Sequence, residues 1–272
     1  MVVGRLAPTP SGHLHLGNAL AFGAAWLSVR GAGGRLLLRV EDLDRGRARE
    51  DVAAGQRADL RWLGLDWDEE VTPQSRRGYS LDGIPVFRCD CNRAVRLARG
   101  CRCRDAPAAA GAWRFRTPPG PVDFEDRALG PQRREPEEDP ILVSRDGEAG
   151  YPLAVVVDDA RDGVTEVVRG ADLLEATATQ ICLHRDLGLP LPSYLHVPVL
   201  LGSDGKKLSK SHGAVGIAAL RDAGVGPDEV WARLLPVLGL PPGQLSAARL
   251  DPAKIPVGPR VVDASGRVLG GL

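Results

Sequence analysis

The sequence predicts an α/β protein built on an open parallel sheet that binds a nucleotide. Three observations predict this fold. Short apolar runs of strand length occur at residues 2–7, 35–40 and 194–201, and the longer apolar run at residues 16–29 has the length of a helix. A Pro- and Gly-containing turn joins the first strand to that helix. A strand, a loop and the N-terminus of a helix therefore follow one another. The unpaired N–H groups at such a helix N-terminus favour the binding of phosphate.

Composition sets the general class of protein. The chain has 272 residues, 43% of them hydrophobic, which is enough for one large core with a smaller satellite. Its 35 basic and 35 acidic residues balance, so we do not expect a protein that coats nucleic acid indiscriminately. The sequence contains neither an apolar run of membrane-spanning length nor a signal peptide. We therefore expect a cytoplasmic protein without a membrane partner, acting as a monomer.

The stretch RLAPTPSGHLHLGN, from Arg5 to Asn18, is the first candidate site. Its Pro, Ser and Gly residues force a turn between the predicted strand and the predicted helix. His15 stands just before the helix, where its side chain and the unpaired N–H groups favour an anionic phosphate. A lone histidine is more often a packed or surface residue than a phosphate ligand, so this stretch needs a second signal.

The stretch GKKLSKS, residues 205–211, supplies that second signal. Lysine occurs only at positions 206, 207, 210 and 254, and every other one of the 35 basic residues is an arginine. A chain that uses arginine almost everywhere but keeps three lysines in one loop needs a compact, mobile ammonium there. We predict that this loop contacts phosphates. A solvated surface loop with chance lysines is the alternative.

Acidic side chains follow the second predicted strand. Glu41, Asp42 and Asp44 come directly after the apolar run at residues 35–40. In open parallel sheets, ligands bind at the carboxyl ends of the strands. We select Glu41 as a site residue and expect the two aspartates to be solvated.

Four of the five cysteines form two C-x-C pairs, Cys89 with Cys91 and Cys101 with Cys103. In a chain without secretion signals, paired thiols at this spacing are more typical of metal binding than of disulfide bonds. Four thiolates suit a closed structural Zn²⁺ site. Four reduced thiols without metal are the alternative, because C-x-C is tighter than the more common C-x-x-C. The same segment carries six arginines, which suit either RNA phosphates or a solvated face.

The chain divides into four predicted segments. They are the first half of the nucleotide-binding domain (1–84), an inserted subdomain with the cysteines (85–150), the second half with the lysine loop (151–212), and a short helical segment with a Pro-rich tail (213–272). We predict further helices at residues 49–65, 172–187, 215–223 and 228–238, and further strands at residues 113–116, 141–144, 153–157 and 164–169. Asp158 and Asp159 are expected to form a turn, and His184 and His196 to be structural.

The histidine and lysine stretches together resemble the paired signatures of class I aminoacyl-tRNA synthetases, HIGH-like at 15–18 and KMSKS-like at 207–211. Two further stretches are similar to the glutamate-specific branch of these synthetases. They are LLLRVEDLDRGR, around Glu41, and YPLAVVVDDARDGVTEVVRGADLL, which begins at Tyr151. These motifs span most of residues 3–212. The resemblance implies a Rossmann-like parallel-sheet domain, with an inserted zinc-knuckle or acceptor-type subdomain and a short helical C-terminal segment.

The resemblance also implies roles for individual residues. Catalysis would use His15, Lys207 and Lys210, ATP would bind at His15, Gly17, Asn18 and Lys210, and glutamate would bind at Arg5, Leu6, Ala7, Pro8, Thr9, Glu41, Tyr151 and Arg169. Glu41 would hold the α-ammonium, while Arg5 and Arg169 would pair with carboxylates, which suits the chemistry of these groups. The implied cofactors are ATP as substrate, Mg²⁺, and one structural Zn²⁺ bound by the four paired cysteines.

The chain differs from full-length glutamyl-tRNA synthetases in two respects, and both indicate a more specific family. Those enzymes usually read Y-H-F-A-N where this chain has YPLAV, so the Asn position is Val155 and we expect altered affinity for free glutamate. Residues 212–272 are too few for an anticodon-reading domain of about a hundred residues. The chain is thus similar to glutamyl-queuosine tRNA(Asp) synthetases, so we expect glutamate transfer to queuosine in the anticodon loop, with queuosine-containing tRNA(Asp) as partner.

Three other functions stay open from the sequence alone. A minimal glutamyl-tRNA synthetase would charge a tRNA 3′ end without needing queuosine. A nucleotidylyltransferase of the same HIGH superfamily would make a nucleotide cofactor without needing glutamate. A non-catalytic RNA-binding relative would have no reason to keep the charges of His15, Lys207, Lys210, Arg5 and Glu41 together.

We predict that Lys210→Ala lowers adenylate formation far more than it lowers glutamate affinity, because the lysine acts on the phosphates. Glutamate-dependent exchange of pyrophosphate into ATP gives kcat and the KM for glutamate separately. Equal losses in both quantities would contradict the role assigned to Lys210.

Overall fold

The computed structural model of the chain describes residues 1–208, 216–263 and 267–271. Up to residue 150 its elements are β1 (Val3–Leu6), α1 (Leu16–Gly31), β2 (Arg35–Leu38), α2 (Glu50–Trp62), β3 (Glu69–Glu70), β4 (Val86–Cys89), α3 (Arg93–Arg99), β5 (Ala112–Phe115), β6 (Val122–Asp126), β7 (Gly130–Arg134) and β8 (Ile141–Val143). They continue with α4 (Tyr151–Arg161), β9 (Glu166–Gly170), α5 (Leu174–Asp186), β10 (Ser193–Val197), β11 (Leu200–Leu201), α6 (Ile217–Asp222), α7 (Pro227–Leu234), β12 (Arg260–Val262) and β13 (Val268–Gly271).

The parallel layer combines strands from both halves of the chain. β1, β2 and β3 pair in parallel, as do β9, β10 and β6, while β7 is antiparallel to β6. The Thr165 N–H donates to the Val3 carbonyl oxygen at 2.9 Å, which places β9 beside β1. The order is therefore β3-β2-β1-β9-β10-β6-β7, and the parallel strands present their carboxyl ends at one edge. This arrangement confirms the predicted α/β fold.

Helix α1 is the centre of the larger core. Small and apolar side chains cover most of its surface, so it is buried between the sheet and the C-terminal helices. A Cβ at Gly23 would lie 2.4 Å from the Trp231 ring, so only glycine admits this ring. Trp231, in α7, also donates its indole N–H to the Leu63 carbonyl oxygen at 2.7 Å. The tryptophan thus holds the C-terminal helices against α1 and the end of α2.

The inserted segment contributes to two sheets. β4, β5 and β8 form an antiparallel sheet, and Phe115 and Leu142 bury its inner face. β6 and β7 lie in the same segment of the sequence but extend the parallel layer through the pairing of Asp126 with Tyr194. The strands of the inserted segment therefore do not form a single sheet of their own.

The predicted strand at residues 153–157 is wrong, because these residues form part of α4. A short apolar run does not distinguish a buried strand from a buried helix. Pro152 lies in the first turn, where a helix tolerates proline. Val155 is 2% exposed and packs in the hydrophobic core rather than lining a pocket, so the structure gives no support to a loss of pocket polarity at this position.

The prediction that Asp158 and Asp159 form a turn is also wrong. Both are buried in α4 and paired with arginines. The turn comes only afterwards, at Asp162 and Gly163, where Gly163 has a φ of +70°.

The C-terminal segment contains two helices as predicted, α6 and α7, and α7 continues as a 3₁₀ helix to Leu238. The Pro-rich tail then adds β12 and β13, and β12 pairs in parallel with β11. The predicted strand at residues 194–201 is divided into β10 and β11. Within the residues that the structure describes, no helix is long and apolar enough to span a membrane.

We predict that Gly23→Ala lowers the free energy of unfolding by about 1–3 kcal/mol, as is typical of an overpacked core, because the new methyl group would meet Trp231. Gly55→Ala in α2 is the matched control, since nothing lies within 4 Å of its new Cβ. Alanine there should stabilise the helix by roughly 0.5–1 kcal/mol. Urea denaturation measures both, and equal stability of the two variants would contradict the packing.

Candidate active site

A cavity of about 390 Å³ opens where the strands β1, β9 and β10 end and α1 begins. This is the place where ligands bind in open parallel sheets. The predicted site residues that line it are Arg5, Ala7, Thr9, His15, Gly17, Asn18, Glu41, Tyr151, Arg169 and Lys207. Motifs that are far apart in the sequence thus meet at one site.

Three of the residues predicted to bind glutamate or ATP are not among those lining the cavity. Leu6 and Pro8 are buried, and their carbonyl oxygens accept the N–H groups of Arg39 and Glu41 at 2.9 and 3.0 Å. They therefore hold the end of β1 to the end of β2 and shape the backbone of the site. Lys210 lies outside the described residues.

His15 caps the amino end of α1. The Gly17 N–H donates to Nδ1 of His15 at 3.1 Å, and the His15 N–H donates to Oδ1 of Asn18 at 3.1 Å. This reciprocal capping fixes the imidazole at the helix terminus. A Cβ at Gly17 would lie 3.0 Å from the ring, so glycine lets the ring rest against the backbone. The ring and the dipole of α1 make this end of the cavity suitable for an anion.

Glu41 belongs to a buried cluster of opposite charges. Arg39, which has no exposed surface, donates to Glu41 at 3.3 Å and to Asp159 at 2.7 Å. Burial raises the pKa of the Glu41 carboxyl above its ordinary value, although Arg39 and Arg5 oppose the shift. The Glu41 side chain lines the cavity. A cationic group placed beside it would stabilise the ionised form.

Asp159 is a site residue that sequence reasoning missed. It accepts the Nε–H of Arg5 at 3.1 Å on the same oxygen that Arg39 contacts. Burial raises the pKa of Asp159, but Arg5 and Arg39 outweigh it and hold that pKa below its ordinary value. Asp159 and Arg39 therefore fix Arg5 and Glu41 in place. No local pattern in the sequence identifies Asp159, because its partner Arg5 lies 154 positions away.

Arg169 reaches the cavity from the end of β9 and is held on three sides. It donates to the Tyr151 hydroxyl at 3.4 Å, to the Thr177 hydroxyl at 2.8 Å and to Nε2 of His196 at 3.1 Å. Tyr151 begins α4 and stays 39% exposed. His196 is buried, as a structural residue would be, but its contact with Arg169 links it to the site.

Lys207 forms the opposite wall of the cavity, at the end of the described part of the lysine loop. Its Nζ pairs with Asp172, and both side chains line the cavity. Lys207 is 53% and Asp172 32% exposed, and an ion pair so open to solvent contributes little stability. An incoming anion can therefore replace Asp172 as the partner of Lys207 at low cost.

The four cysteines of the insertion converge on one point. All four Sγ atoms lie within 4.8 Å of one another, with Cys89 and Cys101 at 3.5 Å and Cys91 and Cys103 at 3.6 Å. In a tetrahedral site with Zn–S bonds of ~2.3 Å the sulfurs are ~3.8 Å apart. The side chains therefore fit a zinc ion with small adjustments.

Three of the six arginines in this segment have partners within the described part of the protein, and one of them, Arg96, donates to the Glu138 carbonyl oxygen at 3.3 Å. Arg88 stacks over the Trp113 ring at 4.5 Å, and Arg104 pairs with Asp139. Those three arginines thus support the fold of the insertion, whatever else they contact.

A family model described as "tRNA synthetases class I (E and Q), catalytic domain" matches residues 1–84 and 104–247. The match covers most of the chain and both signature stretches. The residues between the two matched ranges contain the four clustered cysteines. Residues 85–103, which hold this cluster, and residues 248–272 therefore lie outside the match to the family model.

Two relatives and one solved structure agree with this match. Glutamyl-Q tRNA(Asp) synthetase of Symbiobacterium thermophilum is 42% identical, covering 88% of this chain and 87% of the relative. The Nocardia farcinica protein of the same name is 40% identical, covering 97% and 94%. The crystal structure of glutamate-tRNA synthetase from Elizabethkingia anophelis has a TM-score of 0.83 at 22% identity, covering 97% of this chain and 68% of that one, and shows the fold.

These similarities confirm the resemblance that the sequence motifs carry. They place the histidine and lysine stretches in a class I synthetase catalytic domain, and the chain belongs to the glutamyl-Q tRNA(Asp) synthetase family.

Proposed function

We propose that the protein activates glutamate with ATP and transfers the glutamyl group to queuosine in tRNA(Asp). One observation carries the proposal: a single cavity combines an end lined by Arg5, Glu41 and Arg169 with an anion-binding end at His15 and the start of α1. The names of the relatives support the choice of amino acid and acceptor.

The first end of the cavity complements the charges of glutamate. Glu41 would pair with the α-ammonium, and Arg5 and Arg169 with the two carboxylates, since a guanidinium binds a carboxylate through two parallel hydrogen bonds. The Tyr151 hydroxyl and the backbone from Ala7 to Thr9 would complete the contacts. Because buried partners already fix these charged groups, little ordering is required when glutamate binds.

The reaction at the other end is phosphoryl chemistry that needs no general base. An oxygen of the ionised α-carboxylate attacks the α-phosphorus of ATP, and the bond from that phosphorus to pyrophosphate breaks. Catalysis then consists of positioning and charge stabilisation. His15, the dipole of α1, Lys207 and Lys210 would stabilise the phosphates.

Mg²⁺ enters the proposal bound to the phosphates of ATP. Among the described residues, the cysteine cluster is the single group of three or more side chains suited to hold a metal, so no separate protein site for Mg²⁺ is proposed. The four cysteines would bind one Zn²⁺, which would tie the start of the insertion together as a closed structural site.

In the second step, a nucleophilic group of queuosine attacks the activated carbonyl carbon of glutamyl-adenylate, and AMP leaves. The acceptor is then an anticodon-loop base, not the 3′ end of a tRNA. We further propose that the protein works in the cytoplasm and as a monomer.

We predict that labelled glutamate, with ATP, is transferred to tRNA from cells that make queuosine and not to tRNA from cells that lack it. The reason is that the acceptor nucleophile belongs to the modified base. Filter binding of acid-precipitated tRNA measures the transfer.

Two other outcomes would contradict this prediction in different ways. Equal label in both pools would indicate a synthetase that charges the 3′ end. Label in neither pool, without glutamate-dependent pyrophosphate exchange, would favour a nucleotidylyltransferase or a non-catalytic relative.

We predict one zinc ion per purified chain and its loss in Cys103→Ser, because a serine hydroxyl is a poor zinc ligand. Cys182→Ser is the matched control, since the fifth cysteine lies outside the cluster. Atomic emission gives the zinc content of each variant. A metal-free unmodified protein, isolated without chelator, would mean that the cluster consists of reduced thiols.

A further inference from the structure

Three neighbouring strands place a row of polar side chains beneath the amino-acid end of the cavity. Arg169 on β9 stands directly opposite His196 on β10, and Asp126 ends β6 on the other side of β10. His196 and Asp126 are almost completely buried. The row therefore runs across the sheet from the core to the guanidinium that lines the cavity.

Each hydrogen bond in this row has one possible direction. Asp126 lies 2.6 Å from Nδ1 of His196, and a carboxylate accepts, so Nδ1 carries the proton. Nε2 of His196 lies 3.1 Å from Nε of Arg169, and a guanidinium only donates, so Nε2 presents its lone pair. Burial and the nearby Arg169 lower the pKa of His196, although Asp126 opposes the shift. The neutral ring with its proton on Nδ1 satisfies both neighbours.

We propose that Asp126 and His196 are positioning residues, which hold the Arg169 guanidinium in the orientation that binds a carboxylate of the amino acid. This inference rests on the proposed function, because it assigns Arg169 to glutamate. Asp126 selects the tautomer of His196, and His196 in that tautomer fixes the Nε edge of Arg169. The Nη edge is then left to meet Tyr151, Thr177 and the ligand.

The surroundings of Asp126 make the Asn variant informative. Its Oδ1 accepts the N–H groups of Ala128 and Leu129 at 3.0 and 2.9 Å, while Oδ2 faces Nδ1 of His196 and also accepts the His196 backbone N–H at 3.1 Å. In Asp126→Asn, an amide oxygen at the Oδ1 position keeps the N–H groups of Ala128 and Leu129 and stays 3.4 Å from the His196 backbone N–H, whereas the reverse orientation deprives Ala128 and Leu129 of their acceptor. The NH₂ group therefore faces Nδ1 of His196. His196 must then accept at Nδ1 and carry its proton on Nε2, where it opposes the Nε–H of Arg169. In Ser-His-Asp triads, replacing the aspartate by asparagine gives the histidine the wrong tautomer in the same way.

The first experiment reads the tautomer directly. Long-range ¹H–¹⁵N spectra of protein labelled with ¹⁵N-histidine distinguish a protonated Nδ1 from a protonated Nε2 in each of the five histidines, and His196→Gln assigns the signal. We expect the Nδ1–H form of His196 in the unmodified protein and the Nε2–H form in Asp126→Asn. The same tautomer in both proteins would overturn the proposal.

The second experiment tests the consequence for glutamate binding. In glutamate-dependent pyrophosphate exchange, Asp126→Asn should raise the KM for glutamate about 10-fold to 100-fold, the range for a lost hydrogen bond to a charged group, with little change in kcat or in the KM for ATP. Asp123→Asn is the matched control. It makes the same change on β6 at an exposed residue paired with Arg133, and its KM should equal that of the unmodified protein.

A pair of His196 variants keeps the test valid if Asp126→Asn fails to fold. In His196→Gln the carboxamide oxygen can accept from Arg169, whereas His196→Leu offers no acceptor. We expect the glutamate KM of His196→Gln to lie close to the unmodified value and that of His196→Leu to rise. Equal KM values in the two variants would overturn the positioning role.

The outcomes separate this proposal from the proposed function. Absence of glutamate-dependent exchange in the unmodified protein would overturn glutamate activation, and with it the assignment of Arg169 to glutamate. Normal exchange with an unchanged glutamate KM in Asp126→Asn would leave glutamate activation standing and overturn the positioning role alone.

Discussion

Arg39 has no exposed surface, so the fold must place carboxylates around its permanent charge. Asp159, Glu41 and Asp162 do so at 2.7, 3.3 and 3.1 Å. Asp159 in turn holds Arg5, so the two residues assigned to opposite charges of the amino acid depend on one buried cation. Removing one partner of such a buried pair is typically destabilising by about 3–5 kcal/mol. The architecture of the core and the geometry of the site are therefore coupled.

Arg169 is also held by a buried side chain, but its partner is a neutral histidine and not a carboxylate. Arg169 is 5% exposed, and each of its nitrogens has a hydrogen-bond acceptor within the protein. Asp126 is held by backbone N–H groups, so its charge needs no further cation. Asp159 thus orients Arg5, and His196 orients Arg169 together with Tyr151 and Thr177.

The two ends of the cavity differ in rigidity, as their proposed tasks require. The amino-acid end consists of buried side chains on strand ends, and preorganised groups of this kind give specificity at low entropic cost. At the phosphate end, Lys207 is half-exposed and its partner Asp172 is open to solvent. A weakly held ammonium can exchange its partner as charge moves between the α-phosphate and pyrophosphate. A chain rich in arginine therefore has a physical reason to keep lysine in this loop.

The sequence by itself determined the parallel α/β core and half of the residues that line the cavity, because the signatures at His15 and Glu41 and the start of the lysine loop are continuous stretches between strands and helices. It also indicated the cysteine cluster, whose members are close in the chain. Only the tertiary structure decided that residues 151–161 form a helix, and that Asp159 and His196 support the site. Asp159 lies 154 positions from Arg5, and pairings over such distances leave no local pattern, since the packing of whole elements creates them.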